Sequence, residues 1–159
     1  MNNEIKEIKR WIIFFMISLA LSGITAIPAE TELGFFVNYF SSDGSVGKWL
    51  GKVFAGIVDT NRQYPFLAYG YDWLAFAHIV LAVLFIGPLK DPVKNKWVIE
   101  FGMIACLMII PFAMIAGYFR GIPIAWRLID CSFGVVGIVP LKICLNKINY
   151  IETIKANTL

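Results

Sequence analysis

Along the chain, long apolar blocks alternate with short charged stretches. Residues Trp11 to Ala29, Trp73 to Leu89, Trp97 to Tyr118 and Ile124 to Leu145 are apolar almost throughout. Crossing a hydrocarbon core about 30 Å thick takes about 20 residues of helix, and these four blocks reach or approach that length. Backbone polar groups in lipid must bond within their own segment, so each block is expected to be a helix. The pattern predicts an all-α fold: an integral membrane bundle of four transmembrane helices, one domain over residues 1–159.

A fifth pattern lies in the long polar stretch 30–72 between the first two blocks. After the turn Ser41-Ser42-Asp43-Gly44, the positions Val46, Trp49, Leu50, Val53, Phe54 and Ile57 recur at helical spacing, with Lys48 and Lys52 off that stripe. Ser45 is the expected N-cap. An amphipathic helix over about 46–58 follows, lying in the headgroup plane outside the cytoplasm or covering the mouth of the bundle. Aromatic residues flank it: Phe35, Phe36, Tyr39 and Phe40 before, and Tyr64, Phe66, Tyr69, Tyr71 and Trp73 after. Such residues favour the membrane interface.

Composition agrees with a lipid-solvated chain, being 58% hydrophobic, 15% aromatic and 16% charged. Lys6, Lys9, Arg10, Lys90, Lys94, Lys96, Lys142, Lys147 and Lys155 fall at one set of block ends, and Lys48, Lys52, Arg62, Arg120 and Arg127 at the other. The excess in short loops puts both termini and the Lys90 to Lys96 loop in the cytoplasm, and the protein in the inner (plasma) membrane. The first block also has the basic start and small residues of a secretory signal, but its length and Pro28 favour a retained helix. The net charge of +3 is spread over loop ends and forms no basic stripe, which excludes a nucleic-acid partner.

The backbone-specific residues refine this picture. Pro111 sits near the middle of the third block and removes one helix bond there, while Pro123 suits the first turn of the fourth. Ser18, Ser22 and Gly23 in the first block, and Gly134 and Gly137 in the fourth, allow close helix approach. The cysteines Cys106, Cys131 and Cys144 all fall in apolar blocks without CxxC spacing, and read as packing residues.

Candidate chemistry is confined to a few side chains, because ionisable groups inside a bilayer cost about 2.5 to 3.5 kcal/mol each on insertion scales. His78 and Asp130 each lie about two turns into a block from the outer side. They are the candidates for acid/base catalysis. Arg127, three residues before Asp130, shares its face and can pair with it. Glu30, Glu32, Asp72, Arg120 and Tyr118 complete an outer polar rim and, with Arg127, are the candidate ligand-binding residues. Glu100 stands apart beside Lys96 near the cytoplasmic end.

Each of these residues has a plainer explanation. Asp72 suits the N-cap of the second span, and His78 lies six positions on, about 240° around the axis and off its face. Arg127 with Asp130 reads equally as a buried salt bridge. His78 reads equally as a hydrogen-bonded core histidine. One histidine with two carboxylates could hold zinc. No metal-ligand spacing exists, however, so no residue is assigned to a metal and any cofactor is left unspecified. A single histidine excludes bis-His haem, and HExxH, GxSxG, P-loop and GxGxxG motifs are all absent.

Two functions remain open. The first is an outer site for a small polar molecule, metal ion or lipid headgroup, with or without acid/base chemistry. The second is a non-catalytic accessory, sensor or assembly subunit of a membrane complex. The partners implied are the lipid bilayer, a lipid or small polar ligand, and either a second copy or a partner subunit.

Overall fold

The computed structural model describes residues 2–39 and 44–157, which are helical nearly throughout. Phe40, Ser41, Ser42 and Asp43 of the expected turn lie outside the described residues. The helices are α1 (Asn2–Ile24), α2 (Ala29–Tyr39), α3 (Ser45–Gln63), α4 (Tyr69–Leu84), α5 (Ile86–Lys90), α6 (Lys96–Phe119) and α7 (Ile124–Ala156), with a 3-10 turn over Pro65–Ala68 before α4.

Three stretches are long and apolar enough to cross a membrane: Pro65–Lys90, Lys96–Phe119 and Ile124–Ala156. A fourth qualifies only if α1 and α2 count as one, and these are bent by 90° at their break. The first expected span, 11–29, is not one continuous helix. Its helix begins at Asn2 and stops at Ile24. Beyond it the chain tightens into bonds three residues back, Ala26 N–H to Gly23 O at 3.0 Å and Ile27 N–H to Ile24 O at 3.2 Å. Pro28 follows, and its ring pushes the preceding residue out of helical geometry.

Helix α7 continues past Leu145, where the fourth span was expected to end. A helix of 33 residues is about 50 Å long, against about 30 Å of hydrocarbon. In the most apolar window of each spanning stretch only 22% of residues are buried. Most of their apolar surface therefore faces outward, the arrangement that suits a lipid solvent.

The chain divides into two compact units, Met1–Ile17 with Ala82–Leu159, and Ser18–Leu81. In the first unit α6 and α7 form an antiparallel hairpin. Its turn is a Schellman motif, with Ile122 N–H bonded to Gly117 O at 2.9 Å, Gly121 N–H to Tyr118 O at 3.1 Å, and Gly121 at φ +65°. Farther along, a Cβ placed on Gly134 would lie 2.5 Å from the Cys106 carbonyl oxygen, so the two backbones touch.

Toward the other end of this hairpin the packing widens into an aliphatic core. Ile8 and Ile12 of α1, Phe85, Val98 and Ile99, and Leu141, Cys144, Ile148 and Ile151 of α7 are all buried there. Fully burying such side chains stabilises by about 1.5 to 3 kcal/mol each. The Phe15 and Phe85 rings meet at 4.8 Å. Around the core, Lys147 bonds Glu4 at 2.6 Å and Glu7 at 2.8 Å, and Lys96 bonds Glu152 at 2.8 Å. Lys96 thus pairs across the hairpin with α7, while Glu100 is exposed.

The loop from α5 to α6 is fixed locally. Asn95 Nδ2 donates to the carbonyls of Gly87 and Asp91, and Lys94 N–H donates to Asp91 Oδ1 at 3.1 Å. That N–H holds the Asp91 carboxyl below its ordinary range.

In the second unit α2 and α3 pack antiparallel. Gly34 faces the Phe54 ring, and Asn61 Nδ2 donates to Glu30 Oε2 at 2.7 Å. Leu50, in the centre of the expected apolar stripe, is 4% exposed, and Lys48 and Lys52 are exposed. Helix α3 starts one residue before its expected first turn. Its N-cap is Gly44, with no side-chain cap bond, so Ser45 does not cap it. Helix α2 had no counterpart among the predicted elements, where Phe35, Phe36 and Tyr39 had been read as interfacial anchors.

Candidate functional site

The residues singled out from the sequence fall in both units. Glu30, Glu32, Asp72 and His78 belong to Ser18–Leu81. Tyr118, Arg120, Arg127 and Asp130 belong to the α6–α7 unit.

Asp72 is not the N-cap of its helix. The 3-10 turn at Pro65–Ala68 runs directly into α4, so helical backbone begins at Tyr69 and Asp72 lies in the first turn. There it faces the positive end of the helix dipole. The positions 69, 72, 73 and 76 are spaced i, i+3, i+4 and i+7, which puts all four side chains on one face. Tyr69, Asp72, Trp73 and Phe76 line a recess of about 250 Å³. The rings interlock edge to face, Tyr69 with Trp73 at 5.8 Å and Trp73 with Phe76 at 5.6 Å between centroids. The recess offers aromatic walls and one carboxylate.

His78 lies off that face. Its Nδ1 is 2.8 Å from the Leu74 carbonyl oxygen. A carbonyl can only accept, so Nδ1 is the donor in this bond. The backbone of α1 presses on the same residue: a Cβ placed on Gly23 would lie 2.6 Å from His78 Cβ and 2.9 Å from Ala75 O. Gly23 thus provides the close approach its sequence position suggests. Glu30 accepts the Asn61 amide, and Glu32 sits with it in the first turn of α2.

In the α6–α7 unit Arg127 does not pair with Asp130. Its Nε donates to Ile122 O at 2.8 Å and its Nη1 to Met114 O at 3.4 Å, while its stem packs on Gly117. The guanidinium therefore pins the α6–α7 turn. An arginine beside the end of a helix finds carbonyls with spare lone pairs closer than a carboxylate one turn along. Asp130 is half-buried and forms no ion pair among the described residues. Tyr118 is exposed near the end of α6, and Arg120 is the C-cap residue of that helix.

Among the described residues no three His, Cys, Asp or Glu side chains are grouped to hold a metal ion. All three cysteines are free thiols. Sequence reasoning had placed Tyr69 and Trp73 as interfacial anchors and passed over Phe76. The signal for the recess was an acid inside an aromatic stripe of helical spacing. No protein-family model, curated protein or solved structure matches the chain.

Proposed function

We propose that this is a polytopic protein of the inner (plasma) membrane, with four spans and both termini in the cytoplasm, whose outer side binds the ammonium group of a lipid headgroup. The observation that carries the reading is the recess of about 250 Å³ in which Asp72 sits among Tyr69, Trp73 and Phe76. A helix-start aspartate alone needs only the dipole to explain it. Three ring neighbours around that carboxylate call for more.

An organic cation over an aromatic face gains about 0.5 to 1 kcal/mol at an exposed site and about 2 when desolvated. A carboxylate 4 Å away adds about 1 kcal/mol in water and about 4 near a protein surface. Together these favour a cation with an apolar rim, such as a methylated or primary ammonium. The amphipathic character of α3, with Leu50 buried and Lys48 and Lys52 exposed, supports a position in the headgroup plane beside it.

The side-chain bonding supports binding without catalysis. Arg127 is committed to carbonyls and Glu30 to Asn61, as in an accessory subunit whose polar residues hold its own fold. The acid/base reading of His78 retains one support, that its bond to Leu74 O uses Nδ1 and not Nε2.

The test is saturation-transfer NMR on the protein in nanodiscs, comparing tetramethylammonium with neutral, isosteric tert-butanol. Wild type should bind the cation selectively, Asp72→Asn should weaken it about tenfold, and Trp73→Leu should weaken it further. Equal signals from both probes, or from wild type and Asp72→Asn, would refute the reading.

A further inference from the structure

The recess on α4 is rich in ring surface and poor in hydrogen-bond acceptors. Tyr69, Trp73 and Phe76 are each more than half exposed. Neighbouring rings stand at 83° and 88° to one another, so none of the three lies flat on the next and their π surface stays open to a ligand. Among the lining side chains only the Asp72 carboxylate and the Tyr69 hydroxyl can accept a hydrogen bond, and Trp73 Nε1 can only donate. The backbone adds little, because carbonyls inside a helix are engaged by the N–H groups four residues on. Carbon makes up most of the lining.

That balance separates two kinds of organic cation. A primary ammonium is a compact, strongly hydrated charge with three N–H donors. Against ring carbon most of those donors lose water without gaining an acceptor, which costs free energy. A quaternary ammonium has no N–H to leave unpaired. Its charge is spread over methyl groups that lie against ring faces and gain the cation–π attraction, while Asp72 balances the charge without having to accept a bond. The recess measures about 250 Å³, below the range of about 300 to 1,000 Å³ for drug-sized ligands, and so suits the end of a headgroup.

We propose that the recess selects a trimethylated, quaternary ammonium over a primary one, and so takes the headgroup of a phosphatidylcholine-type lipid. This specificity rests on the ammonium reading above.

The experiment is saturation-transfer NMR on the full chain in nanodiscs of phosphatidylglycerol, which carries no amine, with tetramethylammonium, methylammonium and tert-butanol as probes. Wild type should bind tetramethylammonium about fivefold more tightly than methylammonium. Trp73→Leu should bring that ratio below about twofold, whereas Asp72→Asn should weaken both ions and keep the ratio, since the carboxylate reads charge and the rings read methyl groups. Trp73 is exposed, so Trp73→Leu should keep the fold, which a thermal melt checks. If tetramethylammonium exceeds tert-butanol but not methylammonium, the ammonium reading stands and this specificity falls. If it does not exceed tert-butanol, both fall. A preference that survives Trp73→Leu would overturn the assignment to the rings. A second arm is native mass spectrometry after release from nanodiscs of equal phosphatidylcholine and phosphatidylethanolamine, matched in their acyl chains and differing only in methylation of the amine. Wild type should retain phosphatidylcholine preferentially and Trp73→Leu should not. A preference for the methylated ion without that enrichment would overturn the lipid assignment in favour of a free quaternary ammonium.

Discussion

The two ends of the α6–α7 hairpin are built on different principles. At the end near Lys96 and Glu152, charges meet charges across helices, with Lys147 held by Glu4 and Glu7 around a core of buried aliphatic residues. At the turn end a cation meets only main-chain carbonyls, and a glycine makes the room for it. The first arrangement suits water, where long charged side chains find partners on neighbouring elements. The second suits an apolar surrounding, where an arginine close to a helix end is satisfied without a second ion. The difference also explains why an arginine and an aspartate one turn apart do not pair.

The largest expected effect lies between the two ends, where Gly134 sets the spacing of the hairpin. Leucine at this position would place its Cβ 2.5 Å from the Cys106 carbonyl oxygen, a contact with backbone that no rotamer relieves. The helices must separate along their length, and Gly134→Leu should cost more than about 3 kcal/mol. Size-exclusion chromatography should show little monodisperse protein. A Gly134→Leu protein that melts like wild type would mean that the hairpin is not closed by backbone contact, and that its two ends need not be treated as one rigid pair.

Next comes a direct contrast at the turn. Arg127→Met keeps the stem over Gly117 and removes the donors to Ile122 and Met114, so it should lose about 1.5 to 3 kcal/mol, the usual worth of hydrogen bonds from a charged donor. Asp130→Asn should be nearly neutral, since no ion pair is lost. Paired melts in one detergent decide the matter. If both variants lose the same amount, and the double variant no more than either alone, the two residues are coupled as an ion pair after all.

How much of this was legible beforehand follows from the range of each interaction. Apolar block length is a property of consecutive residues, and it placed the α6 stretch closely. It overran α1, because a 90° break at residues 25–28 leaves the chain as apolar as a straight helix would. The stripe over Val46 to Ile57 located α3, whereas α2 is only 11 residues long and its aromatics read as interfacial anchors. Site residues were legible as types. Their partners were not: Lys147 and Glu4 are separated by most of the chain, and nothing in spacing links them. The recess around Asp72 was readable in principle, because all its walls lie within two turns of one helix.

The smallest effect should come from the ion pairs at the far end, and it tests whether that end behaves as a water-exposed surface. Lys147 has two carboxylates within 2.8 Å, and the Glu7 side chain is 47% exposed. Glu7→Gln leaves Glu4 in place and should hardly move the melting temperature. Removing both with Glu4→Gln leaves the ammonium without an acid and should lower it, though by less than Arg127→Met does. Partly exposed pairs of this kind are screened by salt, whose Debye length falls from about 10 Å at 0.1 M to about 3 Å at 1 M. The double-glutamine loss should therefore shrink at 1 M NaCl while the Arg127→Met loss stays the same, because carbonyl acceptors carry no net charge to screen. A Glu4 and Glu7 effect as salt-insensitive as that of Arg127 would mean that both ends sit in surroundings equally closed to ions.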